Sequence, residues 1–380
     1  MRELSKRSSD AARKRLAARL LKWFSRHRRD LPWRRTSDPY HILVSEVMLQ
    51  QTQVATVAPY YEKFLKRFPT VEALAHADER AVLREWAGLG YYRRARMLHA
   101  TARVVVQHHG GQVPRDVEAL RSLPGVGRYT AGAVASIAFN LCEPVLDGNV
   151  MRVLSRLSAL KGDPRQGAAN KRLWETARAL IPKNGARDFN QALMELGALI
   201  CLPREPKCAQ CPIRNLCRAN QMGDPTKYPI VAARAAIVHE RHVSVLVRQG
   251  NRWLIARAKE GQRTVGFWEF PRFVFSNNVA ARNENERAIW LRKKFTQRFS
   301  LPIASATLGG SVRHQVTHHR ITLEVWRCTL SDDRTAVADQ RSVAARTRTK
   351  SSDHAWVSRE ELKRYPLSSP QERIMTQFLS

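Results

Sequence analysis

A chain of 380 residues is long enough for two domains, each burying its own core. Its 65 Lys and Arg face only 33 Asp and Glu, and the resulting net charge of +32 calls for a polyanionic partner bound in a salt-sensitive way. No apolar run reaches membrane-spanning length, and four of the six cysteines crowd into Cys201–Cys217. That crowding argues against a dispersed disulfide framework and predicts a reducing, cytoplasmic setting.

The Arg- and Ala-rich start has no apolar signal core, and Glu3 and Asp10 weigh against a transit peptide. Leu16, Leu20, Trp23 and Phe24 recur at helical spacing behind Ser9 and Asp10 as candidate caps, and they read as core. Arg29-Asp30-Leu31-Pro32-Trp33-Arg34 is a proline-broken loop carrying an aromatic ring and cations. Asp38-Pro39 then supplies a cap followed by proline at the first helical position. The helix predicted from there holds Ile42, Leu43, Val44, Val47, Met48, Leu49 and Val54. Glu46 lies inside this apolar run, where a carboxyl must either pair with a buried cation or keep its proton.

Gly88-Leu89-Gly90-Tyr91-Tyr92 is a glycine loop with paired tyrosines, and a basic helix follows it. Aromatics among arginines suit a protein that wedges into a base stack while gripping phosphates; a turn with core tyrosines would look the same. Leu123-Pro124-Gly125-Val126-Gly127 reads as a tight hairpin that opens into an apolar helix over about 128–140. Glycines admit φ > 0, and hairpin amides beside a helix N-terminus form a nest for a phosphate. Leu146-Asp147-Gly148-Asn149-Val150 places an acid at the next loop-to-helix junction. A phosphate clamp followed closely by a carboxylate suggests a protein that holds a nucleic-acid backbone and works on the sugar or base.

Two more helices are predicted over about 168–181 and 187–200. The second carries Phe189, Ala192, Leu193, Leu196 and Ile200 on one face, with Glu195 beside them as either a surface acid or a site residue. Cys201, Cys208, Cys211 and Cys217 are separated by six, two and five residues. Four thiolates this close make a closed site for zinc or an iron–sulfur cluster, and spacing alone does not choose between them. Cys142 and Cys328 stand apart and read as buried thiols. Residues 218–234 are polar, basic and proline-marked, as a linker is. Beyond them the period changes to strands at Val243–Val247, Trp253–Ala256, Ser311–Val316 and Ile321–Cys328, with a helix over Glu284–Phe299. Residues 331–353 are poor in apolar side chains and are expected to form a mobile loop.

Leu123–Val150, the nine-residue run Ser45–Gln53 and the cysteine loop together resemble the DNA glycosylase superfamily that includes endonuclease III. Within it the chain is most similar to the A/G-specific adenine glycosylases, the MutY family, from about Leu20 to about Tyr228 and more loosely beyond. The resemblance implies an α-helical helix-hairpin-helix glycosylase domain over 1–217 with an iron–sulfur cluster loop at 201–217. A linker at 218–234 and an α+β Nudix-like C-terminal domain at 235–380 for 8-oxoguanine recognition would follow. It implies Glu46 as the general acid, Asp147 as the carboxylate facing a cationic sugar, and Asn149 as its orienting neighbour. Tyr129 stands where lyase-active relatives carry a lysine. Arg29, Leu31, Trp33 and Arg34 would line the base pocket, with Glu195 contacting adenine. Gln51 would fill the space of the extruded base, Tyr91 would be the wedge with Leu89 nearby among the DNA-binding residues, and Gly125 and Gly127 would hold a phosphate. The four cysteines would ligate a [4Fe–4S] cluster.

The second domain departs from that pattern. Only Glu284 and Glu286 occupy the helix where a working Nudix hydrolase is rich in acids, so binding without hydrolysis is expected. The family reads the lesion with Phe-Ser-His; here Val316 replaces the aromatic and Thr317 the serine, followed by His318. The expected activity is hydrolysis of the N-glycosidic bond of adenine opposite 8-oxoguanine or guanine, by a monomer acting on double-stranded DNA. The rivals are an endonuclease III-like glycosylase/lyase and a non-catalytic iron–sulfur DNA-binding protein.

Overall fold

The computed structural model describes residues 2–231, 236–258, 264–280, 283–331 and 353–379. They form two compact units, one from Met1–Val82 and Arg93–Ala233, the other from Leu83–Tyr92 and Arg234–Ser380.

The first unit is helical. Its elements are α1 (Arg2–His27), α2 (Pro39–Leu49), α3 (Val54–Arg67), α4 (Val71–Ala75), the start of α5 (Glu79–Trp86), α6 (Arg93–His109), α7 (Val117–Ser122), α8 (Arg128–Ile137), α9 (Gly148–Ser158), α10 (Gly167–Leu180), α11 (Ala186–Leu199) and α12 (Arg218–Gln221). Helix α2 begins as its sequence dictates: Asp38 accepts the Tyr40 and His41 amides (2.8 and 3.1 Å) ahead of Pro39. Apolar nearly all round, it is buried along its length and packs on α3, α6 and α8, as a helix without a polar face must. Helix α8 is likewise buried from Thr130 to Ile137.

Several expectations change. Ser9 and Asp10 lie within α1 instead of capping it, and Asp10 pairs with Arg13 (3.3 Å). The predicted α2 breaks at Gln50–Gln53, so that Val54 opens α3. The predicted linker is partly folded: Arg218–Gln221 is helical, and the Tyr228 carbonyl accepts from Arg156 Nε (2.9 Å). Cys142 is exposed, its thiol donating to the Lys183 carbonyl (3.2 Å), whereas Cys328 is buried.

The second unit is built on a mixed sheet of β1 (Val238–Gln249), β2 (Arg252–Arg257), β3 (Trp268–Glu269), β4 (Arg272–Val274), β5 (Ile303–Val316), β6 (His319–Leu330) and β7 (His354–Ser358). The order is β3-β2-β1-β6-β5, with β4 also on β1 and β7 on β2. β1 runs parallel to β6, Val238 facing His319, and the other pairs are antiparallel. Alternation along β1 divides the core: after the short helix α13 (Asn277–Ala280), helix α14 (Glu284–Phe299) packs its Leu291 and Phe295 with Val243, Val245 and Val247, and Leu246 packs with Phe270 and with Ile374 of the helix Ser369–Phe378 on the opposite face. Helices thus cover both faces. The expected loop at 331–353 lies almost wholly outside the described residues.

Candidate active site

The first unit holds a cavity of about 500 Å³, lined by the pocket loop, α2 and the turn after it, Tyr129, Asp147–Asn149 and α11. Nine residues singled out from the sequence meet there: Arg29, Leu31, Trp33, Arg34, Glu46, Tyr129, Asp147, Asn149 and Glu195; Gln51 lies at the same cavity.

Glu46 reaches this wall because α2 is buried all round, and it is itself only 5 % exposed. Burial pushes its carboxyl up to about 7, partly opposed by the Tyr129 hydroxyl, which donates to Oε2 at 2.6 Å, and aided by the charge of Asp147. Burial beside the two acids also drives the Tyr129 phenol well above its ordinary value. Asp147 caps α9 by accepting the Val150 amide (2.7 Å), and Asn149 Nδ2 donates to its other oxygen (3.1 Å). Burial raises its carboxyl too, against the pull of these donors and of Arg152. Burial thus raises both carboxyls, with more donors opposing the rise at Asp147 than at Glu46.

Behind Asp147 a chain of polar contacts runs down α9. Arg152 donates to Asn149 Oδ1 (2.9 Å), the Gly197 carbonyl (2.8 Å) and the Cys201 carbonyl (2.7 Å). Gly197 makes this possible, since a Cβ there would lie 2.6 Å from Asn149 Cβ.

Glu195 is no surface acid; it is 1 % exposed. Its carboxylate receives the Arg29 amide (2.9 Å), Arg29 Nε and Nη2 (3.0 and 2.7 Å) and Arg34 Nη1 and Nη2 (2.9 and 2.8 Å). Burial raises its proton affinity, but the guanidinium groups outweigh that and hold it down at about 2. Five donors fill the roughly four lone-pair directions of a carboxylate. A direct contact from Glu195 to an incoming base would therefore have to displace an arginine N–H. Gln191 and Met194 also line the cavity and were not anticipated; on α11 Gln191 stands one turn before Glu195, and Met194 one turn before Ala198, which lines the cavity too.

Arg94 of α6 caps the end of α2, donating to the carbonyls of Val47 (3.0 Å), Met48 (2.8 Å) and Gln50, and to Thr52 Oγ1 (3.0 Å). This holds the turn in which Gln51 takes φ 57°. Tyr91 is 42 % exposed with φ 48°, and Leu89 close to it in the chain is buried. In the hairpin only Gly125 is left-handed (φ 75°), packed so that a Cβ would meet Met97 at 2.5 Å. Gly127 is extended and caps α8 without a side chain; a Cβ there would meet nothing within 4 Å. Its smallness has no internal cause and leaves the α8 amides open to an outside group.

Cys201, Cys208, Cys211 and Cys217 line one small cavity with Arg156, whose Nη1 donates to Cys201 Sγ (3.3 Å). Burial and the neighbouring sulfurs push the Cys208, Cys211 and Cys217 thiols up, Cys211 to about 12. Among the described residues no three His, Cys, Asp or Glu are grouped to hold a single metal ion. No described helix is long and apolar enough to cross a membrane.

Residues 44–179 match the family model for HhH-GPD superfamily base excision DNA repair proteins, and residues 242–377 match that for the NUDIX domain. The adenine DNA glycosylase of Rattus norvegicus is 36% identical over 365 residues, covering 82% of this chain and 70% of its own. That of Buchnera aphidicola subsp. Baizongia pistaciae is 34% identical over 304 residues, covering 79% of this chain and 82% of its own. The chain belongs to the adenine DNA glycosylase family. A human member is 37% identical over 363 residues, and the chain spans 65% of its length. The solved structure of a thermostable thymine-DNA glycosylase is 36% identical, with a TM-score of 0.52, and covers 57% of this chain and 99% of its own. That likeness bears on the helical fold that adenine DNA glycosylases share with it.

Proposed function

We propose that the chain is a monofunctional DNA glycosylase of base excision repair, hydrolysing the N-glycosidic bond of adenine opposite 8-oxoguanine or guanine in double-stranded DNA. The observation that carries this reading is one cavity holding Asp147 together with Glu46, whose proton affinity is near neutral. Adenine is a poor leaving group as an anion. Once the base is flipped into the cavity, the Glu46 proton passes to its ring nitrogen. The C1′–N9 bond then breaks with its electron pair going to the base, and the Asp147 carboxylate faces the cationic sugar. Water adds to C1′ and gives up a proton to the Glu46 carboxylate, which restores the acid. Trp33 and Leu31 wall the base, Arg29 and Arg34 supply charge, and Glu195 anchors the two arginines.

The open amides after Gly127 would take a phosphate, and Gln51 and Tyr91 would enter the duplex. Tyr129 offers no amine, and its hydroxyl is engaged with Glu46, which favours base release without strand cutting. The four cysteines would hold a [4Fe–4S] cluster. Their shared cavity brings four thiols to one place, a donor set that suits such a cluster. When bound, the cluster ties the loop together through four thiolate bonds. The protein would act as a monomer, in the cytoplasm where the chromosome of a bacterium lies.

The test is single-turnover base release from A:8-oxoguanine, A:G and T:G duplexes. Adenine release from the first two supports the reading, and release of thymine alone, or of nothing, overturns it. Borohydride trapping of a covalent adduct would instead favour a lyase. Metal analysis of anaerobically purified protein should give four irons per chain; one zinc and no iron would remove the cluster.

A further inference from the structure

We propose that Glu240 and His319 position the turn that reads the lesion, a role that rests on taking Thr317 and His318 as the lesion contacts. Strands β5 and β6 are joined by a two-residue loop, Thr317-His318, between the paired residues Val316 and His319. Thr317 has φ 52°, the left-handed region where hairpins of this kind use glycine or asparagine, and a β-branched side chain is disfavoured there. Such a conformation persists only when its surroundings impose it.

Part of that imposition is local. The Thr317 hydroxyl donates to the Val316 carbonyl (2.7 Å), Gln315 Nε2 donates to the Thr317 carbonyl (2.9 Å), and the Val238 amide donates to the His318 carbonyl (2.9 Å). The rest is a chain of side chains that ends at the turn. Arg272 Nε and Nη2 approach His242 Nδ1 at 3.2 and 2.5 Å. Guanidinium only donates, so Nδ1 accepts and Nε2 carries the ring proton. That Nε2 lies 2.8 Å from Glu240 Oε2 and donates to it. The other oxygen of Glu240 lies 2.5 Å from His319 Nδ1. This is a close electrostatic contact without hydrogen-bond alignment, favourable when Nδ1 carries the ring proton. The His319 ring in turn packs on the His318 ring, with centroids 4.2 Å apart.

The carboxylate of Glu240 is thus clamped between two imidazoles. One is fixed by a buried arginine contact, and the other stands at the foot of the loop. Thr317, its O–H engaged with the Val316 carbonyl, supplies an acceptor oxygen, and His318 an imidazole able to donate or accept at the edge that distinguishes 8-oxoguanine from guanine. The brace keeps these groups in one arrangement before DNA arrives. Without it the turn would spread over several conformations, and apparent affinity for the lesion would fall with the competent fraction.

The experiment uses the full chain and measures single-turnover rates and binding constants on A:8-oxoguanine and A:G duplexes. Glu240→Ala and His319→Phe, which keeps the ring volume, should each lower the preference for A:8-oxoguanine by roughly fivefold, a competent fraction of about one fifth. The loss should fall on the lesion duplex. Glu240→Gln should recover only part of it, because its single amide oxygen can accept from one of the two imidazoles. Thr317→Ala with His318→Ala serves as the reference. If that pair collapses the preference while Glu240→Ala and His319→Phe leave it intact, the brace is wrong and the lesion contacts stand. If the reference pair itself changes nothing, the lesion contacts are wrong and the brace falls with them. If His319→Phe slows both duplexes equally, its role is general folding, which also overturns the proposal.

Discussion

Two glutamates line one cavity, and burial treats them alike: Glu46 is 5 % exposed and Glu195 1 %. Their acidities nevertheless part, to about 7 and about 2. Glu46 has a single hydroxyl donor and a carboxyl neighbour, whereas Glu195 receives five N–H groups, four of them from guanidinium. Burial raises the cost of charge at both positions, and the donors decide whether that cost is met. One glutamate can therefore keep and deliver a proton at neutral pH, while the other stays ionised as an anchor.

The largest expected effect comes from removing the proton carrier. Glu46→Gln should lower adenine release by about 10²–10⁴-fold, the usual range for a general acid, with duplex binding near normal. Single-turnover rates at saturating enzyme decide this, and a fall of less than tenfold would move the acid elsewhere.

The opposite glutamate should answer through stability. Arg34→Met leaves a buried carboxylate with fewer donors and should cost up to about 3–5 kcal/mol in denaturant unfolding. Adding Glu195→Met should recover much of that loss. If the double variant is no better than the single one, Glu195 is not the anchor described above.

A third contrast is in pH. Glu46 has a folded-state value raised above its unfolded one, so its contribution to stability is full below about 4.5 and is lost as pH rises through about 7. Glu195 is the reverse: its contribution is present above its unfolded value and lost as pH falls towards 2. Glu46→Gln should therefore be more stable than the parent above pH 7, by up to about 3 kcal/mol, and lose that advantage near pH 4.5. Thermal unfolding across that range checks the sign, and the rate of base release should fall over the same upper limb. The smallest effect should be that of Tyr129→Phe. Removing a donor that favours the charged form should shift the upper limb of the pH–rate profile to higher pH, by less than about one unit. A downward shift would contradict the assigned direction of that hydrogen bond.

The sequence made one half of this contrast visible. Asp38-Pro39 marks where α2 starts, and an acid at position 46 of an apolar run poses its protonation problem without any structure. The state of Glu195 was not visible, because its donors lie more than 160 positions earlier in the chain and helical periodicity assigns only a face. Gln191 and Met194 become legible once Glu195 is known to face the cavity. In the second unit the long strands showed their period, but Trp268–Glu269 and Arg272–Val274 are too short to carry one. Cys142 has no patterned neighbours, and nothing in its context distinguished a buried thiol from an exposed one.

Six non-glycine residues among those described have left-handed backbone. Ala159 and Ser300 close helices α9 and α14, and Asn140 is of a residue type that tolerates the region. The remaining three are Gln51, Tyr91 and Thr317, each proposed above to meet DNA. Strain of about 1–3 kcal/mol at each would be relieved by glycine. Laboratory evolution for heat resistance in the absence of DNA would therefore collect glycines at these three positions as readily as at the two helix ends. Its winners would be robust proteins that had traded away their grip on the duplex, unless every round also scored base release.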